Sequence, residues 1–90
     1  MSELRDNAAA ARYEMDEQGQ TSWADYRLQD DVLYIDHVES PPVLRGTGAA
    51  GRLMAALAQE ARGRGLRIRP ICGYAAAWLR RHADYADLVR

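Results

Sequence analysis

Ninety residues, 48% of them hydrophobic, suffice for one small core and exclude a second domain, since independent cores usually need roughly 50 residues or more. The formal net charge of −1 conceals a lopsided chain: residues 1–44 hold three arginines against ten acids, residues 45–90 nine against three, so an anion belongs on surfaces built by the second half. Neither a charged-then-apolar leader nor an apolar run near the roughly 18 residues of a membrane span is found, Cys72 has no disulfide partner, and His37 and His82 stand alone, so the expectation is a soluble cytoplasmic protein without a metal.

Residues 1–11, MSELRDNAAAA, carry no amphipathic stripe and read as a polar lead-in. RYEMDEQGQ alternates Tyr13 and Met15 against Glu14 and Asp16 before a turn at Gln18 and Gly19, which predicts a strand. TSWADYRLQ predicts a second strand and, after a turn at Asp30 and Asp31, VLYIDHV a third; Ser40-Pro41-Pro42 ends it because proline lacks the donor a ladder needs. In AAGRLMAALAQEAR, Ala50, Leu53, Met54, Leu57 and Ala61 share one arc opposite Arg52, Gln59 and Arg62, the pattern of an amphipathic helix that GRG stops. LRIRPIC then predicts a short strand with Arg67 and Arg69 on one side, and YAAAWLRRHADYADLV a helix with Tyr74, Trp78, His82 and Tyr85 on one face. The predicted fold is α/β, in the α+β sense: a single domain over 1–90 with a mixed sheet, order β-β-β-α-β-α, and a parallel crossover near 38–72. The use of arginine for every basic residue, with abundant alanine, suggests a GC-rich bacterial genome.

RGTGAAGR contains a literal G-x-G-x-x-G at Gly46, Gly48 and Gly51. A dinucleotide fingerprint needs the first glycine directly off a strand and an acid about 20 residues on; here two prolines intervene and Arg67 and Arg69 occupy the following strand. A P-loop fails because no Gly-Lys-Ser/Thr follows. Two readings survive: a loop whose small residues and helix-start amides cradle a diphosphate, or only a tight turn into a helix.

VLRGTGAAGRLMAALAQEARGRGLRIRPIC resembles motif A of the GNAT acetyltransferase superfamily, Gln/Arg-x-x-Gly-x-Gly/Ala, with Arg45, Gly48 and Ala50 at the required spacing. The wider run HVESPPVLRGTG, RPICGY and WLRRHADYADLV resembles the minimal single-domain branch of that superfamily, which shows His-Thr-Glu-Val-Pro before the loop, Pro-x-Cys after the next strand and Arg-His-Pro-Glu-Tyr near the end. Departures are Val38 and Ser40 for the usual Thr and Val, and Ala83 for Pro. The resemblance implies a GNAT-like fold that binds acetyl-CoA (coenzyme A). It implies a pyrophosphate site at the backbone of Arg45, Gly46, Thr47, Gly48, Ala49 and Ala50, with Val38, Glu39 and Val43 beside the pantetheine arm and thioester.

Acetyl transfer to an amine needs a deprotonated acceptor, a thioester within reach and a proton for the departing thiolate. Cys72 sits where a helix start favours the thiolate, and the resemblance implies a part in the reaction as an acetyl carrier; the other reading is a small buried hydrophobe. Glu39 serves as general base if its surroundings raise its pKa toward neutral, or is a solvated strand-end carboxylate. His37 can share the base role, or alternate with Leu33 and Ile35 on the core face. Tyr74 and Tyr85 can protonate the thiolate or pack on the sheet with Trp78. His82, Arg80 and Arg81 suit a helix end or a solvated face, with the arginines also candidates for the adenosine phosphate.

The expected function is acetyl-CoA-dependent transfer to an amine. With no helices after the first predicted strand, the open acceptor side suits a protein or peptide amine, or depends on a partner chain. The alternative is a coenzyme A or acyl-coenzyme A sensing module without turnover. Nucleic acid is not an expected partner, since the arginines are dispersed and the pI is about 6.1.

Overall fold

The computed structural model describes residues 3–90; Met1 and Ser2, the first residues of the predicted lead-in, lie outside them. One sheet holds five strands in sequence order: β1 (Arg5–Asn7), β2 (Arg12–Glu17), β3 (Gln20–Gln29), β4 (Val32–Glu39) and β5 (Arg67–Pro70). Neighbours are antiparallel except β4 and β5, which run parallel and are joined by α1 (Ala49–Gly63); α2 (Gly73–Arg81) follows β5. The α/β class, the mixed sheet and the crossover hold. No helix among the described residues is long and apolar enough to cross a membrane.

The lead-in is more than a polar preface. Residues 5–7 add β1 at the sheet edge, where Arg5 bonds both Glu14 and Asp16 and Asp6 accepts from the Tyr26 hydroxyl at 2.7 Å. A strand of three residues held by charged side chains has no apolar alternation to betray it.

Apolar residues of both helices join one buried cluster with Tyr13, Ala24, Leu33, Ile35 and Ile68, so the helices cover one sheet face. In α1, Leu53, Met54, Leu57, Ala58 and Ala61 recur at helical spacing and are buried, while Arg52, Gln59 and Arg62 are exposed. The helix ends in a Schellman arrangement: Gly65 takes φ +70°, the Leu66 amide donates to Ala61 O and the Gly65 amide to Arg62 O.

The register between β3 and β4 slips by one residue midway along the pair. Asp25 pairs with His37 but Tyr26 with Ile35, so β4 carries an extra residue opposite β3. Leu33, Ile35 and Val38 all pack on the helix-covered side as a result. His37 and Glu39 turn to the uncovered face, with Trp23 and Asp25 opposite them. The expectation that His37 lies on the core face fails for this reason; its side chain is 53% exposed.

The tail also departs from the prediction of one helix. The His82 ring Nδ1 donates to Trp78 O at 2.7 Å, taking the carbonyl that the His82 backbone amide would use in an α-helix; that amide bonds Leu79 O instead. The chain continues as a 3-10 turn over Ala83–Leu88, and Arg90 N donates to Ile68 O on the outer edge of β5. Trp78 still stacks on His82 and Tyr85, at ring distances of 3.7 and 5.8 Å.

Candidate functional site

The ladder between β4 and β5 ends at Ile35 and Pro70. Ile35 O accepts from both Ile71 N and Cys72 N, after which β4 runs on through residues 36–39 without β5 beside it. A fork opens at this point.

Above the fork, a 3-10 turn at Pro42–Leu44 leads into the glycine loop. Gly46 and Gly48 take φ +80° and +87°, values that side-chain-bearing residues rarely adopt, and Gly48 immediately precedes α1. The Thr47 hydroxyl donates to Leu44 O and accepts from Ala49 N, while Arg52 Nη1 donates to Thr47 O at 3.1 Å. The Gly51 backbone faces α2: a Cβ there would lie 3.4 Å from the Trp78 indole nitrogen and 3.7 Å from the Tyr74 hydroxyl.

Where the loop's amides go decides what it can bind. Arg45 N bonds Pro42 O, Thr47 N bonds Leu44 O, and Ala49 N bonds the Thr47 hydroxyl. Gly46, Gly48, Ala50 and Gly51 have no acceptor for their amides among the described residues. The continuous run of donors expected from Arg45 through Ala50 is therefore half consumed by the turn itself, and Gly51 extends it by one position.

Beneath the loop lies a cleft of about 310 Å³. Its walls are Val38 and Ser40 at the end of β4, Leu44 and the loop from Arg45 to Gly51 without Thr47, and Tyr74 from α2. Of the residues predicted beside a ligand arm, Val38 lines the cleft. Glu39 points to the opposite face, and Val43 is 60% exposed outside the lining. Leu44 and Ser40 also belong to the wall, which the sequence does not mark as ligand-facing, and Gly51, the third glycine of the motif, joins them.

The Glu39 carboxylate bonds His37 Nε2 and Arg45 Nη2, each at 2.9 Å. Those two partners, His37 first, hold its pKa below the ordinary carboxylate range. The raised pKa that a free-standing Glu39 base requires is not found. A carboxylate only accepts, so Nε2 carries a proton, and in the neutral ring Nδ1 is then the acceptor.

Cys72 is half-buried at the N-cap of α2, its amide tied to Ile35 O at the root of the fork. Tyr74 lines the cleft with 39% of its surface exposed, and partial desolvation pushes its phenol above the ordinary value, against the opposing charge of Arg81. Tyr85 lies elsewhere: its hydroxyl accepts from Gln59 and its ring stacks on Trp78 beneath Arg62. Arg80, Arg81 and His82 are exposed and stand outside the cleft wall.

Residues 12–88 match the family model of the GCN5-related N-acetyl-transferases. The NMR solution structure of a GCN5-like protein from Staphylococcus aureus, to which N-acetyltransferase activity is ascribed, superposes with a TM-score of 0.75 at 23% identity, over 98% of this chain and 87% of that one. No match was found among curated protein sequences.

Proposed function

Since the chain belongs to the GCN5-related N-acetyltransferase family, we propose that it is an N-acetyltransferase that binds acetyl-coenzyme A in the cleft and passes the acetyl group to an amine. The observation that carries this reading is the set of four unpaired amides, Gly46, Gly48, Ala50 and Gly51, at the start of a 15-residue helix beside the unpaired edge of β4. Amides at a helix N-terminus suit a pyrophosphate, and the dipole adds to the attraction. Gly46 faces open space, which leaves its amide accessible to such a group.

Coenzyme A, when bound, supplies the thioester. The chain supplies position and protons. Val38 and the free β4 edge flank the arm, and Tyr74 keeps its proton at neutral pH for delivery to a departing thiolate. On the uncovered face, Glu39 orients His37, whose ring in its neutral form would accept an amine proton at Nδ1. Cys72 at the fork is the candidate acetyl carrier. Neither the β1–β2 connection, a 3-10 turn at Ala8–Ala10, nor the two-residue turn at Gln18 and Gly19 holds an α-helix, so this face is open to an amine on a peptide or protein.

Calorimetric titration with acetyl-coenzyme A, with NADH as control ligand, tests the binding half of the reading. Binding of acetyl-coenzyme A alone is expected; failure to bind it would withdraw the reading. Thiol release over a panel of amines and lysine peptides tests turnover, and binding without release would favour a sensing module.

A further inference from the structure

Ser22 and Ser40 are the two buried polar residues among those described, 2% and 8% exposed, and their hydroxyl oxygens lie 2.8 Å apart. They meet because Ala24 pairs with Val38 and Trp23 with Glu39, which brings Ser22 opposite the first residue past β4. Two hydroxyls share one proton in the bond between them, and the second proton must point elsewhere. Were Ser40 the donor, the spare proton would be that of Ser22, closed inside with no other acceptor among the described residues. A buried donor without a partner is a costly state, so the arrangement favours Ser22 as the donor, with the free O–H on Ser40.

Ser40 lines the cleft, two residues past Val38 and beside Leu44 and the glycine loop. Accepting a hydrogen bond from Ser22 polarises its own O–H and makes it the stronger donor. We propose that Ser40 is a positioning residue for the pantetheine arm, giving its O–H to an amide carbonyl in the stretch between thioester and pyrophosphate. This rests on the proposed binding of acetyl-coenzyme A in the cleft. Val38 and Leu44 give the cleft apolar wall beside this hydroxyl, where an arm in place would shield the bond from water.

The test is calorimetry and thermal melting of wild type, Ser40→Ala and Ser22→Ala/Ser40→Ala, titrated with coenzyme A and with ADP, which has the pyrophosphate but no arm. Both variants are expected to bind coenzyme A about threefold to tenfold more weakly, the range for one neutral hydrogen bond, with ADP unaffected. Ser40→Ala should also melt lower, because it strands the Ser22 hydroxyl. The double variant should recover the melting temperature but not the affinity. Wild-type affinity for coenzyme A in the double variant would overturn the proposal, as would an equal loss for both ligands. Absence of coenzyme A binding by the wild type would overturn the cleft assignment itself, and this inference with it.

Discussion

Arg52 and Glu17, 35 residues apart, form a bidentate ion pair with Nε and Nη2 at 2.9 and 2.7 Å from the two carboxylate oxygens. The third arm of the guanidinium donates to Thr47 O at 3.1 Å. The glycine loop is thus braced against the β2–β3 hairpin. An ion pair with so exposed a guanidinium adds little to folding, so the brace matters for loop order more than for stability. Arg52→Ala should weaken acetyl-coenzyme A binding by about threefold to tenfold, the scale of one or two lost hydrogen bonds, while barely moving the melting temperature. Unchanged affinity by calorimetry would mean that the loop holds its shape unaided.

Gly48 joins this brace at its tightest point. Its φ of +87° disfavours any side chain, and a Cβ would stand 3.0 Å from Arg52 Nη1. Gly48→Ala should cost about 1–2 kcal/mol through the left-handed backbone and displace the Arg52 contact to Thr47. Urea unfolding and acetyl-coenzyme A titration should fall together. A variant with lost stability and intact binding would separate the loop from the ligand.

Stability should depend on pH at both ends. Arg52 holds Glu17 below the ordinary carboxylate value, Arg27 does the same for Asp36, and Arg5 and Thr21 hold Asp16 down to about 2. A group whose folded pKa is depressed stabilises the fold above its unfolded pKa and loses that contribution as pH falls through the folded one. The urea midpoint should therefore decline from about pH 4 toward 2. Tyr26 works in the other direction: burial and its bond to Asp6 push the phenol up to about 12, so its contribution is complete below about pH 10 and lost toward 12. Burial also raises the Tyr13 phenol, so Tyr26→Phe should lessen the alkaline decline rather than remove it, and leave the acid one unchanged.

Leu53 is fully buried in the shared cluster beneath α1. Leu53→Ala should cost about 2–5 kcal/mol, from lost burial and the cavity left behind. For a chain this small, that is a large part of the total stability, and a shift in the urea midpoint at constant slope measures it.

The elements carried by periodicity were legible: the alternating β2, the β-branched β4 and the amphipathic α1 all lie where the pattern puts them. β1 was not, because Arg5 and Asp6 hold it through side-chain bonds to Asp16 on β2 and Tyr26 on β3, which no local alternation reveals. Nor was the end of α2, which depends on the His82 ring competing for the Trp78 carbonyl. At the site, the glycine loop and Val38 followed from spacing and resemblance. The facing of Glu39 and His37 did not, since one extra residue in β4 inverts the alternation between Ile35 and Val38. The pairing of Ser22 with Ser40 needs the register of two strands, which no single-strand pattern contains.

Tyr74 and Cys72 make separable predictions for the chemical step. The Tyr74 phenol lines the cleft; a phenol is protonated at neutral pH even at its ordinary pKa, and partial desolvation raises this one further, so it can donate to the leaving thiolate. Tyr74→Phe should leave acetyl-coenzyme A affinity intact and lower kcat by about 10²- to 10⁴-fold, the usual scale of general acid catalysis. An acid must be protonated to act, so the wild-type rate should fall as pH rises through the raised phenol pKa, and the Phe variant should lack that limb. Cys72→Ala should instead abolish a burst of acetyl-enzyme in rapid-quench experiments, because a carrier stores the acetyl group before the amine takes it. A burst that survives in Cys72→Ala would exclude the carrier and leave direct attack by the amine, with Tyr74 still supplying the proton.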